Sequence, residues 1–191
     1  MQRPSSELVT PILFYSPRYD FSMFGVERLH PFDGRKFSRA FSIIERLVGS
    51  EFERYWRAPD GPIADEELLR VHSGEYLDSL RSSAVVAKAL ELWPLKLIPY
   101  RLVERSLLLP MRLALRGTVL AMQYALESGA SAMNLGGGFH HAFRDHGEGF
   151  CVYADVAIAI AAARARGALA PADPILVIDL DAHRGNGVWE L

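Results

Sequence analysis

The sequence predicts an α/β fold with three layers, in which helices cover both faces of a mainly parallel sheet. Short apolar runs bounded by turn residues alternate along the chain with longer segments whose apolar residues recur at helical spacing. Polar clusters follow directly after two of the apolar runs, which is where open parallel sheets place their ligand sites.

Strands are predicted where apolar residues run together between turn signals, in the segments 12–15, 52–57, 131–135 and 175–180. Residues 111–127, which follow Pro110 and end before Gly129, give the strongest helix pattern. Other helices are predicted over 36–48, from Asp65, after a Ser73 cap, and over 152–166. Three prolines interrupt residues 91–110, and this predicts a long packed loop.

Composition limits the classes of function. At 191 residues, 50% of them hydrophobic and 23% charged, we expect one globular domain over residues 1–191. A net charge of −2 gives no reason to expect direct binding of nucleic acid or of an anionic membrane. Cys151 is the only cysteine, which excludes an internal disulfide and favours a reducing compartment. No secretory signal or membrane span is recognised, so we expect a cytoplasmic protein.

The segment DLDAHRGNG carries Asp179, Asp181 and His183, spaced two apart after an apolar run. Side chains alternate along an extended segment, so all three could project to one side. Carboxylate and imidazole groups suit a divalent ion such as zinc. Taken alone, this spacing is as consistent with a strand end whose acids cap a neighbouring helix as with a metal site.

The segment NLGGGFHHA carries Gly136–Gly138 and then the adjacent pair His140 and His141. In isolation this pattern favours a tight turn with two exposed imidazoles. The two segments together favour a metal site, because water activated by a metal needs a group that accepts its proton. A neutral imidazole beside a carboxylate does this near neutral pH.

The stretches GGGFHHAFRDHGEGFCVYADVAIAI and VIDLDAHRGNG together resemble the histone deacetylase superfamily. DAH followed by Arg184 is most similar to the class IV branch, as are FYSPRYDFSMFGVERLHPFDGRKF and EELLRVHSGEYLDSL. The resemblance runs from about residue 12 to residue 191. It implies an arginase/deacetylase-like α/β/α fold and zinc-dependent hydrolysis of N-acyl-lysine amides.

The resemblance also assigns roles to the metal-binding and proton-transfer residues. Asp181 and His183 would be two of three protein ligands to zinc. His140 would be the general base, and Asp179 would fix its tautomer and line a site for a monovalent cation such as potassium. His141 would be the second imidazole, and Asn186 stands where many relatives place an acid behind it, so we expect a less basic His141.

The remaining assignments concern the substrate channel. Gly138, Gly149 and Phe150 would line the channel for the acyl-lysine stem. Lys36 stands where many relatives carry an arginine of an internal channel. Cys151 is expected to be a small buried hydrophobic residue rather than a catalytic thiol. His30, His72 and His146 are expected to lie outside the catalytic set.

Relatives supply a third zinc ligand, an aspartate, and a hydroxyl for the transition state, usually from tyrosine, from loops that match no part of these 191 residues. In their sheet, further strands pack between segments that match this chain. We therefore expect an incomplete domain with unpaired strand edges and exposed apolar faces, and no activity from these residues alone.

Two alternatives stay open at this point. Arginase-like ureohydrolases share this architecture and use Asp-x-His segments to hold two manganese ions, although the His140–His141 pair and the lack of an aspartate at 185 argue against them. A non-catalytic partner-binding fragment is the other alternative. For a deacylase, the substrate could be an acylated protein, histone included, or a small acylated amine, with acetyl and fatty-acyl groups equally plausible. The nucleus is a second location if the source is eukaryotic.

Overall fold

The computed structural model describes residues 10–21 and 33–191. Its three strands are β1 (Ile12–Phe14), β2 (Trp56–Arg57) and β3 (Ala132–Asn134). The helices before the middle of the chain are α1 (Lys36–Val48), α2 (Asp65–Leu68), α3 (Gly74–Ser79) and α4 (Ser83–Ala89). Those that follow are α5 (Tyr100–Val103), α6 (Leu109–Ser128), α7 (Asp155–Ala165) and α8 (Asn186–Glu190). None of the described helices is long and apolar enough to span a membrane.

The three described strands form a parallel sheet in the order β2-β1-β3. In its register Leu13 lies opposite both Trp56 and Met133. The strands predicted at 12–15 and 131–135 are confirmed to within one residue at each end. The prediction over 52–57 is wrong for its first part, where residues Gly49–Arg54 form a 3-10 helix that turns Phe52 into the core.

Helices cover both faces of β1. Ile12 and Phe14 pack against Ala121 of α6 on one face. On the other face Tyr15 stacks on Phe41 of α1, with ring centroids 4.1 Å apart. The alternation of side chains along the strand explains this division, and it confirms the predicted arrangement of a parallel sheet between helices.

Helix α6 is the central helix of the fold and confirms the strongest helix prediction. It packs against β1, β3 and α7, and its buried residues include Met111, Leu115 and Val119. Gly117 lies where the helix passes over the hydroxyl of Tyr19 and the amide of Asn134, and a β-carbon at this position would collide with both. Gly129, in the left-handed conformation with φ 73°, ends the helix as expected.

The prediction of a long loop over residues 91–110 is wrong. Residues Trp93–Leu97 form a 3-10 helix, and α5 and the π-helical turn Glu104–Leu108 lead directly into α6. Pro94 and Pro99 lie at the starts of these elements, where a helix needs no donor from the backbone. Pro110 follows directly after the π-helical turn, which is where a continuous helix can accommodate a proline. Leu95, Val103 and Leu107 are fully buried, which accounts for the apolar composition.

The strand predicted over residues 175–180 is also absent. Leu176, Ile178 and Leu180 are 83%, 71% and 91% exposed. A strand forms only when its backbone groups pair with a neighbour, and no described strand lies alongside this segment. The outer edge of β3 is likewise unpaired among the described strands, and Met133 on it is 56% exposed.

His72 links the start of α3 to the loop before α7. Ser73 caps α3 as predicted, since its hydroxyl accepts the Tyr76 N–H. His72 is 1% exposed, and its Nε2 accepts the N–H of Ala154 at 3.1 Å. Ala154 is the N-cap of α7, which begins at Asp155 rather than at the predicted residue 152. Burial lowers the pKa of His72 to about 4.

Because His72 is neutral in the fold, acid should destabilise the chain. The unfolded chain gains this proton near pH 6.5 and the folded chain only near pH 4. The contribution is therefore complete above about pH 6.5, and roughly 3 kcal/mol is lost as the pH falls to about 4. We expect His72→Gln to remove this part of the pH dependence in urea unfolding, whereas His146→Gln, at an exposed histidine, keeps it. If the free energy of unfolding varies with pH equally in the unmodified chain and both variants, the assignment to His72 is wrong.

Candidate active site

Two loops that are distant in sequence meet at one place in the fold. The first, residues 136–151, follows β3, and the second, residues 179–187, leads into α8. The carbonyl of His140 accepts the N–H groups of Gly187 and Val188 at 3.0 and 3.2 Å. These donors lie in the first turn of α8, where no partner exists within the helix. The second loop is therefore joined to the first through the backbone as well as through side chains.

The glycine-rich loop is held by Asp155, the first residue of α7. Its carboxylate accepts the N–H groups of Gly138 and Phe139 at 3.0 and 2.9 Å and the Thr118 hydroxyl at 2.7 Å. Asp155 is 1% exposed. A β-carbon at Gly137 would lie 2.6 Å from this carboxylate, so the loop needs glycine there. Asp155 was not predicted as a site residue from the sequence, although it is the one acid in an alanine-rich helix.

The hydrogen bonds continue from Asp155 into the sheet. The Asn134 side chain donates to Thr118 at 2.9 Å and to the Ala114 carbonyl at 2.8 Å. The buried hydroxyl of Tyr19 donates to the Asn134 oxygen at 3.0 Å. The end of β3 and helices α6 and α7 are thus linked by one partly buried polar network, which fixes the point from which the first loop leaves the sheet.

His140 is oriented by Asp179. Its Nδ1 lies 2.7 Å from Oδ2 of Asp179, and the side chain of His140 is only 13% exposed. A carboxylate can only accept, so Nδ1 carries the proton in the neutral ring and Nε2 presents its lone pair. The hydrogen bond from His140, followed by that from the Asp181 N–H, lowers the pKa of Asp179. Both Asp179 oxygens are therefore engaged within the protein.

The second loop is not the extended strand end that was predicted. Asp179 accepts the N–H of Asp181 at 3.0 Å, and Asp181 accepts the N–H of His183 at 2.8 Å. These are two consecutive turns in which an aspartate bonds the backbone two residues on. The hydrogen bond from the backbone N–H of His183 is the main cause of the lowered pKa of Asp181. The loop turns Asp181 and His183 toward the cleft described below, while Asp179 lies behind His140.

The donor atoms of Asp181 and His183 suit a zinc ion. Nδ1 of His183 donates a hydrogen bond to Oδ1 of Asp181 at 2.9 Å, and because metal ligands must be deprotonated, a zinc ion would replace the proton of this bond. Within residues 10–21 and 33–191, no group of three or more His, Cys, Asp or Glu side chains is arranged to hold a metal. The pair therefore fits two of the three protein ligands that a catalytic zinc site uses.

His141 lies beside His140, with ring centroids 4.1 Å apart, and 6.1 Å from the ring of His183. Its Nδ1 is 2.5 Å from Oδ1 of Asn186, the contact expected from sequence. Asn186 in turn donates its Nδ2 to Oε1 of Glu148. Glu148 was not predicted from the sequence, and nothing in the local pattern marks it.

A cleft of about 770 Å³ opens over these groups. Its walls include the three residues predicted to line the substrate channel, Gly138, Gly149 and Phe150. Lys36 and Cys151 also line it. Gly149 and Phe150 have φ angles of 53° and 66°, and a β-carbon at Gly149 would lie 2.5 Å from the His141 ring. Cys151 is buried as expected, and burial raises its pKa to about 12, which keeps its thiol protonated.

Two of the other histidines, His146 and His72, lie outside the cleft, as was expected from the sequence. His146 pairs with Asp145 on the exposed side of the first loop, with its side chain 52% exposed. His72 is buried away from the cleft. His30 lies outside the described residues.

Residues 30–191 match the family model of the histone deacetylase domain. The chain belongs to the histone deacetylase family. It is 42% identical over 176 residues to histone deacetylase 2 of Arabidopsis thaliana, a match that covers 92% of this chain and 44% of that protein. It is 30% identical over 186 residues to the acetoin utilization protein AcuC of Bacillus subtilis, which covers 93% of this chain and 44% of AcuC. The chain thus spans less than half the length of these curated relatives.

Solved structures support the fold. The HD domain of HDA15 aligns with a TM-score of 0.70 at 22% identity, covering 95% of this chain and 50% of that one. A histone deacetylase homolog from Aquifex aeolicus aligns with a TM-score of 0.64 at 24% identity, covering 95% and 47%. Membership of the histone deacetylase family argues against the ureohydrolase alternative.

We expect Asp155→Ala to destabilise this histone deacetylase family chain by at least about 3 kcal/mol. The change removes the charged acceptor from two backbone N–H groups and one hydroxyl, each of which makes a partly buried hydrogen bond. Urea unfolding followed by circular dichroism measures the effect. Asp173→Ala is the matched control, because Asp173 accepts one backbone N–H in an exposed turn, and it should cost less than about 1 kcal/mol. Similar losses in both variants would show that Asp155 does not hold the loop.

Proposed function

We propose that this chain carries part of the active site of a zinc-dependent deacylase that hydrolyses N-acyl-lysine amides. The observation that carries the proposal is the pairing of His140 with Asp179 at 2.7 Å, beside the close donor pair of Asp181 and His183. This arrangement puts a neutral imidazole acceptor next to groups suited to a metal. The match to the histone deacetylase domain supports the same chemistry.

Asp181 and His183 would hold the zinc ion. When bound, zinc supplies a Lewis acid that activates water and polarises the amide carbonyl. The two side chains already lie within hydrogen-bonding distance of each other, and a zinc ion would take the place of the proton between them. By family resemblance an aspartate outside the matched segments completes the set, and a hydroxyl from the same part of the fold stabilises the oxyanion.

His140 would remove the proton from the attacking water through Nε2. Asp179 keeps the other ring nitrogen protonated and stabilises the positive charge that the ring gains in this step. The ring of His141 lies beside that of His140, with centroids 4.1 Å apart, and would first take up a proton at Nε2 and then donate it to the departing amine. The two adjacent rings thus divide the tasks of base and acid on the same side of the cleft.

The cleft would hold the lysine stem between Gly138, Gly149 and Phe150. Two consecutive residues with positive φ bring Phe150 against the opening, and the missing β-carbon of Gly149 leaves His141 accessible. The substrate would be an acylated protein or a small acylated amine. Resemblance to class IV makes a fatty-acyl group as suitable as acetyl. We further propose a cytoplasmic or nuclear location and a monovalent cation near Asp179.

Because Asp181 and His183 give only two protein ligands, we propose that residues 1–191 alone bind zinc weakly and do not turn over. The fold without hydrolysis would then serve, at most, as a partner-binding fragment. Enzymatic tests therefore use the product of the complete reading frame.

In that product we expect zinc-dependent hydrolysis of acetyl-lysine or myristoyl-lysine peptides. His140→Ala should lower kcat by about 10²–10⁴, since it removes the general base. Amine release from both peptides, with and without a chelator, measures this. His146→Ala is the control in the same loop and should leave kcat within about twofold. An unchanged kcat in His140→Ala would exclude this histidine as the base.

A further inference from the structure

We propose that Glu148 is a positioning residue that sets the tautomer of His141 by fixing the orientation of the Asn186 amide. The three side chains form a relay in which Glu148 accepts from Asn186 and Asn186 contacts His141. The inference rests on the proposed function for its role in hydrolysis, but the relay itself can be tested in the chain without metal or substrate.

The direction of the relay follows from the chemistry of its ends. A carboxylate has no hydrogen to donate, so the Asn186 group that faces Glu148 must be the NH₂. The amide oxygen then faces Nδ1 of His141 at 2.5 Å. An oxygen accepts, so Nδ1 of the neutral His141 ring is the protonated nitrogen. A reversed amide would place two oxygens against each other at Glu148 and is unfavourable.

The tautomer decides what His141 can do in the cleft. With the proton on Nδ1, Nε2 has a lone pair that can receive a proton and pass it on. With the reversed amide, Nε2 would carry the proton in the neutral ring and could not accept one. His140 reaches the same state through Asp179, so both rings present Nε2 as an acceptor. His140 is bonded directly to the carboxylate of Asp179, whereas His141 is linked to the carboxylate of Glu148 through the Asn186 amide.

The backbone around Glu148 aims its side chain at Asn186. The Glu148 carbonyl accepts the Cys151 N–H at 2.8 Å, and the two residues form an isolated antiparallel bridge. Gly147 and Gly149 flank Glu148, and β-carbons at these positions would collide with the Cys151 carbonyl and approach the His141 ring, respectively. On the other side Gly187 N–H donates to the His140 carbonyl, which holds Asn186 in place. Both ends of the relay are therefore fixed by main-chain bonds.

This relay modifies the expectation that asparagine leaves the second histidine without an acid. The acid is present one residue further along the relay. It comes from the first loop instead of the second, which is why the spacing in the DLDAHRGNG segment could not reveal it.

The test uses ¹⁵N–¹H correlation spectra of the histidine rings at about pH 8, above the ordinary histidine pKa of about 6.5. We expect His141 in the unmodified chain to carry its proton on Nδ1. In Glu148→Gln the amide at 148 can face Asn186 with either end, so we expect a substantial population with the proton on Nε2. In the complete product, kcat should fall about tenfold with KM nearly unchanged.

A rescue variant separates orientation from folding. In Glu148→Gln/Asn186→Asp, the carboxylate at 186 can only accept from His141, and the glutamine can donate to it. We expect this double variant to restore the proton to Nδ1. Asp145→Asn, which removes an acid from the exposed side of the same loop, should leave the His141 signals unchanged.

Three results would overturn the proposal: a proton on Nε2 of His141 in the unmodified chain, an unchanged tautomer in Glu148→Gln, or no rescue by the double variant. These signals do not depend on turnover. If the tautomer follows Glu148 but the complete product hydrolyses no acyl-lysine, the positioning role stands and the proposed deacylase function is wrong.

Discussion

The hydrogen bonds between the His140 carbonyl and the first turn of α8 are the constraint on which the site depends. They join segments that lie on separate parts of the chain. Once this connection is made, Asp179 lies within 2.7 Å of His140 and Asn186 within 2.5 Å of His141. The orientation of both imidazoles is thus a consequence of how the two backbones meet.

The two halves of the site are supported unequally. The first loop is tied to the core through Asp155, which is 1% exposed and bonded to two loop amides. The second loop follows an exposed segment, and the side chains of Asp181 and His183 are 51% and 79% exposed. Its position depends on the first loop more than on the sheet. The groups for proton transfer are consequently more firmly held than the groups suited to a metal.

Local sequence patterns predicted the elements whose structure depends on local interactions. Helix α6, its glycine stop and the Ser73 cap follow from side chains within a few residues of one another. The segment 175–180 has the composition of a strand, but a strand needs a partner, and composition alone does not supply one. The prolines between 91 and 110 were misread because proline at the start of a helix and proline in a loop look alike in sequence.

In the site, too, the residues recognised from local patterns differ from those that depend on distant contacts. His140, His141, Asp181 and His183 stand out because their residue types are rare and closely spaced, and family resemblance gave their roles. Asp155 and Glu148 act through partners 16 to 38 residues away, so no local pattern could identify them. The resemblance to the histone deacetylase family assigned them no role either. Three-dimensional contacts were needed to find the residues that hold the predicted ones in place.

Amide hydrogen exchange at Gly187 and Val188 tests the joining of the two loops most directly. Both N–H groups would lack a main-chain partner in an isolated helix end. The Gly187 N–H also lies 3.2 Å from the Asn186 side-chain oxygen, so protection at Val188 is the specific sign of the bond to the His140 carbonyl. We predict exchange slowed at least about tenfold relative to an unstructured peptide. Exchange at the unstructured rate, while the amides in the middle of α6 stay protected, would show that the loops do not meet and would contradict the account.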